Sequence, residues 1–151
     1  MTLQTWSDCD FHSMGWHDRT VHGMHDFPQT AELRFDLDYI TRWVQPVAPS
    51  TRFSFWLAPA TLVFHRAHAL HIEMGPPDFG SFVIRSVERT ATAHDGVFDI
   101  HIHTLGGHLN VRASAVSQYL RAEPVHREAM YLELDARGGV CFDTPGKPAV
   151  E

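Results

Sequence analysis

Twelve histidines, set against 18 acidic and 12 basic side chains in 151 residues, are the first chemistry this sequence offers. The string Trp16-His17-Asp18-Arg19-Thr20-Val21-His22-Gly23-Met24-His25-Asp26 carries two His-Asp dipeptides. Imidazole with carboxylate is a donor set that suits zinc and related divalent ions, so His17, Asp18, His22 and His25 are candidate metal ligands. On a strand, however, His17 and His22 fall on opposite faces. That favours the simpler role of a carboxylate–imidazole pair fixing a strand end. In His65-Arg66-Ala67-His68-Ala69-Leu70-His71 the three histidines share a face in neither a helix nor a strand, and they read as surface or edge histidines. Asp36 and Asp38 flank one face of a strand with Arg34. Paired carboxylates can serve as acid and base, but no nucleophile, partner base or Gly-rich loop accompanies them, so they read as a solvated face.

The fourth constellation is a hairpin. Gly106-Gly107 separates two alternating runs and reads as a two-residue turn accepting positive φ. That turn puts Leu105 opposite His108, His103 opposite Asn110 and His101 opposite Arg112. Alternation then gathers His101, His103, His108, Asn110 and Arg112 on one face, with Ile100, Ile102, Leu109 and Val111 on the other. Three imidazoles, an amide and a guanidinium make a candidate site for an anionic ligand or an acidic partner. Metal ligation by His101 and His103 is the lesser option, because Arg112 would repel a cation. No Gly-x-Ser-x-Gly elbow, phosphate-binding loop, dinucleotide fingerprint or His-Glu-x-x-His string occurs.

The elements that must hold these residues are mainly strands. Leu33, Phe35, Leu37 and Tyr39 alternate with Arg34, Asp36 and Asp38, the period of a half-buried strand. Phe53, Phe55 and Leu57 alternate with Arg52, Ser54 and Trp56. Pro59 is expected to break that run before a new extended segment at 61–65. Leu70, Ile72 and Met74 alternate with His71 and Glu73 and stop at Pro76-Pro77. Residues 81–93 read as a long strand closed by Asp95-Gly96. Val116, Tyr119 and Leu120 have helical spacing, which predicts a short helix near 115–122, and Met130, Leu132 and Leu134 predict a last strand. The fold class is therefore mostly β (α+β): an antiparallel sheet packed as a sandwich or partial barrel with one short helix. A single domain over 1–143 with a flexible tail at 144–151 is expected. With 44% hydrophobic and 20% charged residues the chain is not a disordered one.

A formal charge of −6 lacks the basic footprint that a phosphate backbone demands, so nucleic acid is not an expected partner. No apolar run approaches ~20 residues, which argues against a membrane helix. The start has no basic and apolar leader pattern, and Cys9 and Cys141 form no CxxC pair. A cytoplasmic protein is expected.

Trp16-His17-Asp18, His22-Gly23, Leu37-Asp38-Tyr39-Ile40 with Trp43-Val44, and Ala58-Pro59-Ala60-Thr61-Leu62-Val63-Phe64-His65 resemble, in this order, a family of small uncharacterised bacterial proteins. Ser117-Gln118-Tyr119-Leu120-Arg121 and Pro124-Val125 extend the likeness. The His17-Asp18 entry into a β-rich domain is also similar to immunity proteins of bacterial toxin systems, which implies a binding role. The His-Asp metal-dependent phosphohydrolases carry their ligands on helices, and the β pattern here does not fit them. The sequence thus points to a β-rich binding or structural module that is not an enzyme, needs no cofactor and binds a protein partner or small anion, with homo-oligomerisation through sheet edges. The alternative is a histidine-ligated protein holding a divalent metal, such as a metal-dependent hydrolase.

Overall fold

The computed structural model describes residues 2–76 and 82–146. Its strands are β1 (Thr5–Trp6), β2 (Arg19–Phe27), β3 (Glu32–Val44), β4 (Ser54–His65), β5 (His68–Met74), β6 (Val83–Ala91), β7 (Phe98–Thr104), β8 (Gly107–Ala113), β9 (Ala115–Leu120) and β10 (Val125–Arg127). A 3-10 turn spans Asp8–Asp10, and a single helical turn, α1, spans Leu134–Arg137. The strands run in the order β1-β9-β4-β3-β2-β6-β7-β8-β5, with β10 added beside β4, and every pairing is antiparallel. The path has two ends and does not close into a barrel.

Strand β2 is the corner. Its first residues pair with β6 (Arg19 with Ile84, Thr20 with Val83), and the rest pairs with β3. One sheet therefore folds into two layers. Leu33, Phe35, Leu37 and Tyr39 of β3 and Ala58, Ala60, Leu62 and Phe64 of β4 pack against Ile84, Ile100, Ile102, Leu109 and Val111 of the other layer, all buried. The antiparallel sandwich is thus the expected fold class.

Three elements differ from expectation. Residues 115–120 form strand β9, inserted between β1 and β4, not a helix. Val116 and Leu120 share a face at period 2 as well as at helical spacing, and β9 is buried on both faces, so the pattern is satisfied either way and the sheet decides. Pro59 does not break β4. Its carbonyl accepts from Arg121 N at 2.9 Å, so its missing N–H also faces the gap between the end of β9 and the start of β10, where no ladder bond is needed. Residues 130–134 form no strand; Leu134 opens α1, which ends at Gly138 in the left-handed conformation (φ 77°).

The outer face of β3 and β4 is not solvated. Residues 132–143 lie across it as a strap. Leu132 joins Ile40, Phe55 and Leu57 in a second small core, and Asp36 and Asp38 are fully buried. Of the expected tail, residues 144–146 continue from the strap and 147–151 lie outside the described residues.

Candidate functional site

The paired aspartates sit at the centre of a closed ionic network. Arg137 places Nη1 on Asp36 Oδ2 (2.5 Å), Nη2 on Asp36 Oδ1 (2.6 Å) and Nε on Asp38 Oδ1 (3.0 Å). Arg121 Nη2 also donates to Asp36 Oδ1, while Cys141 N donates to Asp36 Oδ2 and Leu132 N to Asp38 Oδ2. His22 Nε2 lies 2.6 Å from Asp38 Oδ2. Burial alone would raise the Asp36 pKa, but the hydrogen bonds and charges of Arg137 and Arg121 outweigh it and hold the carboxyl below its ordinary value. For Arg137, burial acts to lower the pKa and the two aspartates outweigh it, so the guanidinium stays charged. Every carboxylate oxygen has a donor, and both side chains are fully buried. The network clamps the strap to the sheet and offers no substrate a free lone pair. Arg34, expected beside the aspartates, instead donates to Glu32 and to the Phe142 carbonyl.

The four candidate metal ligands separate. His17 Nδ1 pairs with Asp18 Oδ2 at 2.8 Å, His22 turns to Asp38, and His25 meets Phe27 edge-on with ring centroids 4.5 Å apart. Among the described residues no group of three His, Cys, Asp or Glu side chains is arranged to hold a metal ion.

His101, His103, His108, Asn110 and Arg112 do share one outer face, opposite buried Ile100, Ile102, Leu109 and Val111. The register differs from expectation. His103 pairs with His108, His101 with Asn110, and Asp99 with Arg112. The turn therefore has four residues, not two, and neither Gly106 nor Gly107 has positive φ. Gly107 is required for a different reason: a Cβ there would stand 2.0 Å from the Glu73 carbonyl oxygen, because β5 passes close by. The slip preserves the parity of each strand, so the faces survive. Carboxylates complete the patch, Asp99 from β7 itself, Glu73 from β5 and Glu88 from β6. Arg112 Nε donates to Asp99 (3.0 Å), while Glu73 and Glu88 lie 3.4 and 3.8 Å from His108 and His103. Arg112, His103 and His108 of this face thus each have a carboxylate within 4 Å.

A broad concavity opens elsewhere, at the end of the sandwich where the two layers part. It holds about 700 Å³, within the range of small-molecule sites, and is lined from the start of β2, the end of β3, the start of β4, the start of β6, the β7–β8 turn and the segment after β10. Trp43, Phe53, Leu105, Met130 and Tyr131 face it, each between 39% and 52% exposed. Trp43 stands edge-on to Phe53 and Phe55 at centroid distances of 6.2 and 4.9 Å. The polar members include Asp18, Arg52 and Glu128. Asp18 is held at φ 61°, unusual for a residue other than glycine. The buried Arg19 fixes it: Nε donates to the Gly15 carbonyl (3.0 Å), Nη1 donates to the His17 carbonyl (2.8 Å), and the guanidinium lies over the Tyr39 ring. Among the described residues the Arg52 guanidinium has no ion pair. No sequence signal marked this cleft, because its walls converge from six elements and no local spacing encodes that.

Comparison with family models, with curated proteins and with solved structures gave no match to this chain. Among the described residues no helix is long and apolar enough to cross a membrane.

Proposed function

We propose that this chain is a non-enzymatic binding module whose ligand is a small amphipathic anion. Its apolar, ring-bearing body sits between Trp43, Phe53 and Met130, and its acidic group pairs with Arg52. The observation that supports this most is the grouping of five large apolar side chains, left half-exposed, around one cleft of about 700 Å³. An exposed apolar concavity with a few convergent polar groups is the usual form of a small-molecule site. Asp18 is held by His17 Nδ1 at 2.8 Å, and Arg52 lines the same cleft as the cation that sets ligand charge. The anion thus belongs to the cleft and not to the histidine face, whose Arg112, His103 and His108 face acids of their own.

Anilinonaphthalene sulfonate, with fused rings and one fixed negative charge, is a suitable probe. It is expected to bind the native protein saturably with one site per chain. Phe53→Asp abolishes binding, and Arg52→Ala weakens it while sparing the uncharged N-phenylnaphthylamine. Absence of saturable binding, or binding indifferent to Phe53→Asp, overturns the reading. Elemental analysis of untagged protein before and after chelation tests the competing metal-protein reading, which no observed ligand geometry favours.

A further inference from the structure

Strand β5 ends the sheet, and among the described residues it is paired only on its β8 side. Gly75 N donates to the Gly106 carbonyl at 2.6 Å, so Gly75 faces β8. Alternation then turns the N–H and C=O groups of Glu73 and His71 toward β8 as well. Those of Ile72 and Met74 point away from the sheet. The bulge of this strand is confined to its start, between His68 and His71, where Ala69 has φ 53°. From His71 onward the edge is regular and carries exposed Ile72 and Met74, with exposed Leu70 at the end of the bulge. That is the kind of edge that monomeric proteins blunt and oligomers use.

The side chains say what fits there. We propose that β5 pairs antiparallel with β5 of a second copy of this chain about a two-fold axis through Ile72, joining the two β6-β7-β8-β5 layers into one continuous sheet. With the axis at Ile72, His71 stands opposite Glu73 of the partner subunit, and Glu73 opposite His71 of the partner subunit. On the other face Ile72 meets Ile72 of the partner subunit, and Leu70 meets Met74 of the partner subunit. The outward backbone N–H and C=O groups of Ile72 then form the central hydrogen-bonded pair with Ile72 of the partner subunit. An axis through Glu73 would oppose two carboxylates, and one through His71 would leave Glu73 opposite alanine. Charge complementarity therefore selects Ile72. The apolar side of the new contact continues the core, because Ile72 already pairs with buried Leu109.

Sedimentation equilibrium of the full chain tests this, with circular dichroism confirming that each variant is folded. The native protein is expected to form a dimer of 17.1 kDa chains. Ile72→Pro removes an outward N–H without touching the β8 ladder and yields a monomer; Ile72→Lys, which places like charges on the axis, serves if the proline variant does not fold. His71→Glu weakens the dimer by about tenfold or more in Kd, and adding Glu73→Lys restores it. A native protein monomeric up to about 100 µM overturns the proposal. So does a dimer indifferent to changes at Ile72, or a double variant no tighter than His71→Glu alone.

Discussion

Arg137 and Asp36, 101 positions apart in the chain, meet in a two-point contact in which both guanidinium Nη atoms hold both carboxylate oxygens and neither side chain touches solvent. A buried pair of this kind contributes little over an apolar replacement of equal shape, but losing one partner strands the other charge. Arg137→Met leaves Asp36 with Arg121 as its one guanidinium and Asp38 with none. It is expected to destabilise the fold by about 3–5 kcal/mol in urea unfolding, with increased amide exchange along residues 132–143. A loss under about 1 kcal/mol would mean that the strap is held by Leu132 and Phe142 packing instead.

The same network sets the response to acid. The folded pKa of Asp36 is depressed from the ordinary value of 3.8. Its contribution to stability is therefore fully present above the unfolded value and is lost as pH falls through the lower folded value. Stability measured from pH 6 downward should fall below about pH 4. Asp36→Asn, which cannot titrate, should start less stable and show a shallower acid slope. Equal slopes would place the acid sensitivity elsewhere.

Much of the fold was legible because period-2 alternation states which face is apolar. Leu33, Phe35, Leu37 and Tyr39 are all in the core, and the two faces of the β7–β8 hairpin are as the sequence predicts. Alternation does not state what covers the polar face. Asp36 and Asp38 look solvated until Arg137, from far along the chain, is laid over them. The hairpin register was not legible from Gly106-Gly107, since Gly107 answers to the close approach of β5 and not to the turn. Residues 115–120 fit both periods, and the insertion of β9 between β1 and β4 resolved them. The cleft was the least legible feature, since its walls arrive singly from six places in the chain.

Gln118 is the odd member of the core. It is fully buried, shares the face of Leu62 opposite it on β4, and neither Oε1 nor Nε2 has a hydrogen-bond partner among the described residues. Two desolvated, unpaired groups destabilise the native state by about 1–3 kcal/mol. Gln118→Met keeps the volume and removes both, so a gain of about 1 kcal/mol or more in urea unfolding is expected. A loss instead would show that ordered water satisfies the amide.

Gly107→Ala tests the contact of β5 with β8. The added Cβ meets backbone, the Glu73 carbonyl oxygen at 2.0 Å and the Met74 Cα at 2.8 Å, so no side-chain rotation relieves it. The two strands must part at this end. A loss of about 2–3 kcal/mol is expected, with amide protection falling in β5 and β8 while β3 and β4 keep theirs. Uniform loss across all strands would show that the two layers unfold as one unit.

Asp18 and Arg19 are expected to be energetically coupled through the backbone between them. Asp18 at φ 61° carries strain of order 1 kcal/mol that glycine would not. Its partner His17 is well exposed, so that ion pair contributes little to stability. Asp18→Gly should therefore be neutral or stabilising by up to about 1 kcal/mol. Arg19→Met strips the Gly15 and His17 carbonyls of their donor, and it should cost about 2–3 kcal/mol because the guanidinium is buried there. If Arg19 holds the loop against the strain at Asp18, the double variant loses less than the two single effects predict. The expected coupling is at least about 0.5 kcal/mol, the usual threshold between contacting and independent sites. Urea unfolding of the four proteins measures it. Strict additivity would show that the left-handed turn at Asp18 is set by its own hydrogen bond to Ile84, whose carbonyl accepts from Asp18 N at 2.9 Å, and not by Arg19.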